Sequence, residues 1–204
     1  SGLMDYEAMN TAASNTSLVK KLTGYDVATL EGFLYPDTYL LPVDCGADSI
    51  LALFTTEFFT KLRKNNIDHT QIHDFYQKLV LASIIEKEAG SDSERDIIAG
   101  VFLNRLKLGM PLQSCPTVDY ILEKRGVKKE VLSNSDTAIP SPYNTYLNPG
   151  LPPTPISNPS INSILAVLNP AKHNYLYFFS DRKGNNVFSK SYEEHQRLQR
   201  QMGL

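Results

Sequence analysis

Apolar residues fall into a few dense blocks separated by stretches rich in proline, serine and asparagine, and the blocks differ in period. Ile50, Leu51, Leu53, Phe54, Phe58 and Leu62 recur at helical spacing, which predicts a helix from about Asp48 to Lys64, capped by Asp48 or Ser49. Leu79 to Ile85 is apolar almost throughout and predicts a second helix, Gln77 to Ala89, ending before Gly90. Ser91 to Glu94 has capping-box spacing ahead of a third helix carrying Ile97, Ile98, Val101, Phe102 and Leu106, with Gly109 as its stop. A further helix is expected to open at Asn158 and Pro159, with Pro159 in its first position, and to run through Ile161, Ile164, Leu165 and Leu168 to Pro170.

The remaining blocks favour extended chain. Phe33 to Leu41 is aromatic-rich around Pro36 and suggests two short extended segments joined at a turn. Tyr175 to Phe179 and Asn186 to Ser189 flank Asp181 to Asn185, the pattern of a β-hairpin with Gly184 in its turn. Ser191 to Glu194 is a second capping-box spacing, starting a terminal helix through Leu198. Residues 1 to about 24 are small and polar and read as a linker or the remnant of a preceding module. Helices and antiparallel strands in separate runs give an α+β class, helices packed with short antiparallel strands and a C-terminal β-hairpin.

Between Ile139 and Pro159 seven prolines alternate with Tyr143, Asn144, Tyr146 and Asn148, which excludes helix and sheet over most of the stretch. An ordered loop fits better than a linker, because rings to stack on sugars and amides to bond hydroxyls are what a glycan site requires. Packing of those tyrosines onto the core is the competing explanation.

Composition sets outer limits. The chain has 204 residues, 42% of them hydrophobic, enough for a substantial core, and a formal net charge of -2 gives no electrostatic reason to expect nucleic acid. It contains no run of about eighteen apolar residues of the kind that spans a membrane. Cys45 and Cys115 are far apart and His69 and His73 have no third ligand beside them, so neither a disulfide framework nor a metal site is expected, and no cofactor.

The chemistry concentrates at Glu86 and Glu88, which close the apolar run of the second helix. A carboxyl group among aliphatic side chains loses hydration, its neutral form is favoured, and it becomes a proton donor for a poor leaving group. The following helix N-terminus acts in the opposite sense. Both glutamates flank the apolar face, so periodicity does not choose between them.

Ordered blocks add specificity. Leu30 to Tyr39, Ala82 to Glu88, Val101 to Leu106, Met110 to Val118, Ser141 to Tyr146, Gly150 to Pro153, the hairpin and Glu194–His195 resemble, in order, the blocks of the YceG-like family of endolytic murein transglycosylases. The resemblance implies a domain division, with 1–29 a linker or remnant of a LysM-like region and 30–204 the catalytic domain. It implies cleavage of the MurNAc–GlcNAc bond of peptidoglycan to leave a 1,6-anhydro end, with Glu86, first of the ExE pair, as the catalytic group. Glu88, Asn104, Arg105, Gln113, Tyr143, Asn144 and Tyr146 are then expected to bind or orient substrate. It also implies peptidoglycan strands and peptidoglycan synthases as partners, a membrane anchor in the intact protein, and a place on the outer face of the bacterial cytoplasmic membrane. A hydrolase using Glu88 or Asp92 as second carboxylate, or a non-catalytic glycan-binding module, are the alternatives. Two positions depart from the family's usual pattern: Cys115 stands where an acidic residue is common and Thr154 where glycine is common.

Overall fold

The computed structural model describes residues 6–41 and 45–203. Among these, eight α-helices and one two-stranded sheet confirm the α+β class. The helices are α1 (Tyr6–Ala13), α2 (Thr16–Thr23), α3 (Ala47–Lys64), α4 (Phe75–Glu88), α5 (Arg95–Lys107), α6 (Cys115–Lys124), α7 (Ile161–Leu168) and α8 (Tyr192–Gln201). Strands β1 (Tyr177–Ser180) and β2 (Asn186–Ser189) form the expected antiparallel hairpin, with Tyr177 opposite Ser189 and Ser180 opposite Asn186.

Helix α4 is the axis of the domain. Every residue from Leu79 to Ile85 is buried, because α4 packs on α5, α6 and α7 and has little solvent-facing side along that stretch. A helix apolar all round has to be surrounded in this way. Ser83, the one polar residue in the run, bonds its own turn through Val80 O and also receives Ile156 N at 3.0 Å, while its carbonyl accepts from Ser157 Oγ at 2.9 Å. The proline-rich loop is thereby fastened along α4, and Asn158 Oδ1 continues the seam by accepting the amides of Gly32 and Leu34.

Several expectations are corrected. Residues 1 to about 24, expected as a linker or the remnant of a preceding module, form α1 and α2 where they are described, and both helices pack on α3. Asn15 caps α2 through bonds from Ser17 N and Leu18 N, Gly24 closes it at φ 79°, and Val19 joins Leu30 and Leu51 in a buried cluster. Phe33 to Leu41 forms no strand among its described residues: Phe33 is buried as an anchor in the core, and Tyr39 Oη bonds back to Tyr35 O. Ser91 makes no side-chain cap; a 3-10 turn at Asp92–Glu94 precedes α5, and the Glu94 carboxylate instead accepts from Asn186 N and Nδ2 on the hairpin. Helix α7 begins at Ile161 with Ser160 before it, two residues later than Pro159, and its cap hydroxyl is used elsewhere. The second box holds in part, with Ser191 Oγ accepting from Glu194 N while Glu194 reaches Lys190 N.

Candidate active site

The two glutamates at the end of α4 have opposite surroundings. Glu86 Oε2 accepts from Ser160 N (2.9 Å), Ser160 Oγ (2.7 Å) and Ser163 Oγ (2.7 Å), and lies 3.3 Å from Arg95 Nη1. Burial raises its pKa, but the hydroxyls of Ser163 and Ser160, the Ser160 amide and the Arg95 charge outweigh that effect, and the net direction is downward. Glu86 is thus a carboxylate that fixes the start of α7 to the end of α4. Arg95 is itself held by Asp92 at 2.7 Å and by Ser163 at 2.6 Å, and Asp92 also accepts from Asn162.

Among the described residues Glu88 has a single hydrogen bond, from Ser114 Oγ to Oε1 at 2.6 Å. Burial dominates, the Ser114 bond opposes it, the charge of Asp119 adds to it, and the pKa is raised to about 7. Glu88 also opens on a cavity of about 680 Å³ and is the one carboxylate among the described residues lining it. The outlier pKa and the cavity coincide at this residue and not at its neighbour, the pattern expected of a proton-transferring group.

Three structural units build the cavity. Arg105, buried on α5, donates to Pro111 O (2.9 Å), Leu176 O (3.0 Å) and Gln113 Oε1, tying the 110–113 segment to the chain entering the hairpin. Its guanidinium carbon lies 5.3 Å from the centre of the Tyr177 ring. Desolvation lowers the arginine's pKa, in an environment where a planar, multiply bonded guanidinium is favoured over an ammonium. Gln113 adopts φ 54°, a left-handed conformation rare for a residue with a side chain, and is held there by its amide bond to Thr145 O at 3.0 Å. The opposite wall carries Tyr146, whose hydroxyl lies 3.1 Å from Cys115 Sγ, while Tyr177, Phe179, Tyr192 and His195 form an aromatic side from the hairpin and α8.

Four of the expected site residues therefore meet around one cavity: Glu88, Arg105, Gln113 and Tyr146. Four lie elsewhere. Glu86 is in the serine–arginine cluster, and its side chain is 24% exposed. Asn104 spends its amide on His173 O and Tyr175 O, bracing the segment before the hairpin. Asn144 is fully buried and holds the proline-rich loop together through Thr137 O, Ile139 O and Tyr146 N. Tyr143 lies tilted against Tyr120, ring centroids 5.0 Å apart, and its hydroxyl lies 2.8 Å from Thr154 Oγ1, on the far side of the 143–146 turn. Ser114, Tyr177, Tyr192 and His195 were not singled out as site residues; only the pairing of Ser114 with Glu88 across 26 positions, a long-range contact, could have drawn attention to the first.

Comparison with known proteins agrees. The family model described as "YceG-like family" matches residues 3–201. An endolytic murein transglycosylase of Bacillus subtilis is 41% identical over 169 residues, covering 81% of this chain and 46% of the relative. One from Streptococcus pneumoniae serotype 2 is 34% identical over 178 residues, covering 82% of this chain and 31% of the relative. The chain thus spans less than half the length of these curated relatives. A crystal structure of a YceG-like protein from Listeria monocytogenes superposes with a TM-score of 0.82 at 36% identity, covering 96% of this chain and 67% of that one. Matched along nearly its whole length in sequence and in fold, the chain belongs to the YceG-like family.

Proposed function

We propose that this chain cleaves the glycan strands of peptidoglycan as an endolytic lytic transglycosylase, with Glu88 as the proton-transferring group. The relatives named above carry that activity in their names. The observation that carries the reading is a carboxyl group, its pKa raised to about 7, facing a cavity that no other carboxylate among the described residues lines and that rings and hydrogen-bonding groups surround. At pH 7 a glutamate with an ordinary pKa near 4.3 is protonated in only about 0.2% of molecules, whereas one near 7 is protonated in roughly half.

The proposed steps balance without a second carboxylate. Protonated Glu88 donates to the glycosidic oxygen as the bond from the muramic anomeric carbon to that oxygen breaks, releasing a GlcNAc 4-hydroxyl. The muramic C6 hydroxyl, held in the same sugar ring, attacks the anomeric carbon and gives its proton to the Glu88 carboxylate, restoring the acid and closing the 1,6-anhydro ring. No water is consumed. Hydrolysis, by contrast, requires a second carboxylate about 5 to 9.5 Å from the first. Asp92, the other candidate for that role, is engaged by Arg95 and Asn162 beside Glu86.

Ser114 is the residue that keeps the Glu88 carboxylate usable as a base, since its hydroxyl bonds the charged form. Gln113 and Arg105 supply donors along the wall, and Tyr146, Tyr177 and Tyr192 supply faces for sugar rings. Peptidoglycan as substrate puts the site on the outer face of the bacterial cytoplasmic membrane, where peptidoglycan synthases make the strands; no described helix is long and apolar enough to cross a membrane. Digestion of purified peptidoglycan followed by mass spectrometry of the fragments tests the reading. It predicts 1,6-anhydromuramyl ends; reducing muramic ends in their place would refute it.

A further inference from the structure

A second cavity, of about 510 Å³, opens at the other end of α6, between that helix, the 28–31 segment and the proline-rich loop. Its lining combines three chemistries. Tyr120 and Tyr143 present a pair of rings with centroids 5.0 Å apart, backed by the Tyr143 Oη to Thr154 Oγ1 bond of 2.8 Å. Glu31 supplies a carboxylate, oriented by the 2.6 Å bond from Tyr120 Oη and only 3.8 Å from Lys124 Nζ. Lys124, 5.0 Å from the Tyr120 ring centre, and Arg125 supply two exposed cations at the rim, and Arg125 has no ion pair among the described residues.

An apolar floor with a carboxylate and two cations fits a short peptide that carries both an amine and a carboxylate, whereas glycan stripped of its peptide carries only the lactyl carboxylates of muramic acid and no cation for Glu31. Distance supports the same class. Cys115 at the start of α6 lines the Glu88 cavity, whereas Tyr120, Ile121 and Lys124 line this one, so the two openings are separated by roughly 8 to 14 Å of helix at 1.5 Å per residue. Four extended peptide residues span at most about 14 Å. The 143–146 turn bridges the two, with Tyr143 in one cavity and Tyr146 in the other.

We propose that this cavity binds the stem peptide carried by the muramic acid whose glycosidic bond lies at Glu88. The peptide's free amine faces Glu31, its carboxylate faces Lys124 and Arg125, and its aliphatic carbons cover the two tyrosine rings. The inference rests on the transglycosylase reading for its choice of peptide, and its test does not need cleavage.

The synthetic tetrapeptide N-acetyl-L-Ala-γ-D-Glu-L-Lys-D-Ala, whose acetyl group stands for the lactyl amide and leaves the lysine amine as the only one, is titrated into the protein and followed by amide chemical shifts. Saturable shifts are expected in residues of α6 and of the 140–143 segment. The double variant Lys124→Ala and Arg125→Ala, at exposed positions outside the core, is expected to weaken binding about tenfold, the loss of two exposed ionic contacts. Shifts that never saturate, or affinity unchanged in the double variant, overturn the proposal. In parallel, the wild-type rate on peptide-bearing strands is compared with that on strands stripped by an amidase. A preference for peptide-bearing strands that falls toward one in the double variant supports the site. Equal rates in the wild type sink it while leaving the transglycosylase reading intact, and peptide binding with no cleavage of either substrate does the reverse.

Discussion

Replacing Ser114 by alanine isolates the group that tunes Glu88. The Ser114 hydroxyl is 2.6 Å from Glu88 Oε1 and is the side-chain hydrogen bond that opposes the desolvation of the carboxylate. A hydrogen bond to a charged group contributes about 1.5–3 kcal/mol. At 1.36 kcal/mol per pKa unit, its removal moves the Glu88 pKa upward by about one to two units from its already raised value. The sign is fixed, because the bond favours the charged form and its loss favours the acid. As the step that breaks the glycosidic bond uses the protonated form, activity falls as pH rises through the Glu88 pKa, and in Ser114→Ala that fall is displaced to higher pH by the same amount. Ser114 precedes α6 without capping it through its side chain, and its backbone bond to Thr145 Oγ1 is retained, so the fold is expected to survive. The assay is the pH profile of kcat/KM on soluble glycan strands, with the carboxyl carbon of Glu88 followed by NMR through the same range. A descending limb that stays in place, or that moves to lower pH, would refute the assignment of Glu88 as the acid.

Three further outcomes follow from the packing. Glu86→Gln is expected to lower stability by about 2–3 kcal/mol at pH 7, since an amide cannot accept the serine bonds and face Arg95 as the carboxylate does. Because the folded-state pKa of Glu86 is depressed, its contribution is complete above the unfolded-state value and is lost as pH falls through the folded one. The gap to the variant in chemical denaturation should therefore narrow below about pH 4, and a gap independent of pH would count against it. Asn144→Ala should cost about 2–4 kcal/mol, leaving the carbonyls of Thr137 and Ile139 without their donor, with kcat/KM little changed where the variant is folded; a selective rise in KM would restore Asn144 as a substrate ligand. Gly100→Ala puts a Cβ 2.5 Å from His173 Nε2 and 2.7 Å from Ala171 O, and is expected to lower stability by about 1–3 kcal/mol in thermal unfolding; an unchanged Tm would show that the 171–173 segment is free to move aside.

What could be inferred from the chain alone follows the range of the interactions concerned. Helices α3 and α4, the hairpin and α8 carry their own periodicity or turn residues, so local pattern sufficed. Helices α1 and α2 are short and polar, and α2 is stable as part of the fold because Val19 finds Leu30 and Leu51, a contact no local pattern encodes. Helix α6, which frames both cavities, begins at Cys115 with Pro116 in its first turn, inside a block noted only for its motif. The glutamate pair shows the same limit at the site. Glu86 and Glu88 are equivalent on the helical wheel, and what separates them arrives from distant segments, Ser160 and Ser163 over 70 residues on for one and Ser114 for the other. Motif membership marks the region, while the side-chain amides of Asn104 and Asn144 are spent on backbone carbonyls that brace it.

The central claim is that Glu88 moves the proton and Glu86 holds the frame. Glu86→Gln and Glu88→Gln, each shown to be folded by circular dichroism, are to be compared for release of 1,6-anhydromuropeptides from purified peptidoglycan. Glu88→Gln should lower the rate by about 10²–10⁴, the usual contribution of a general acid or base, while Glu86→Gln stays within about tenfold of wild type. An active Glu88→Gln beside a folded but inactive Glu86→Gln would contradict the account.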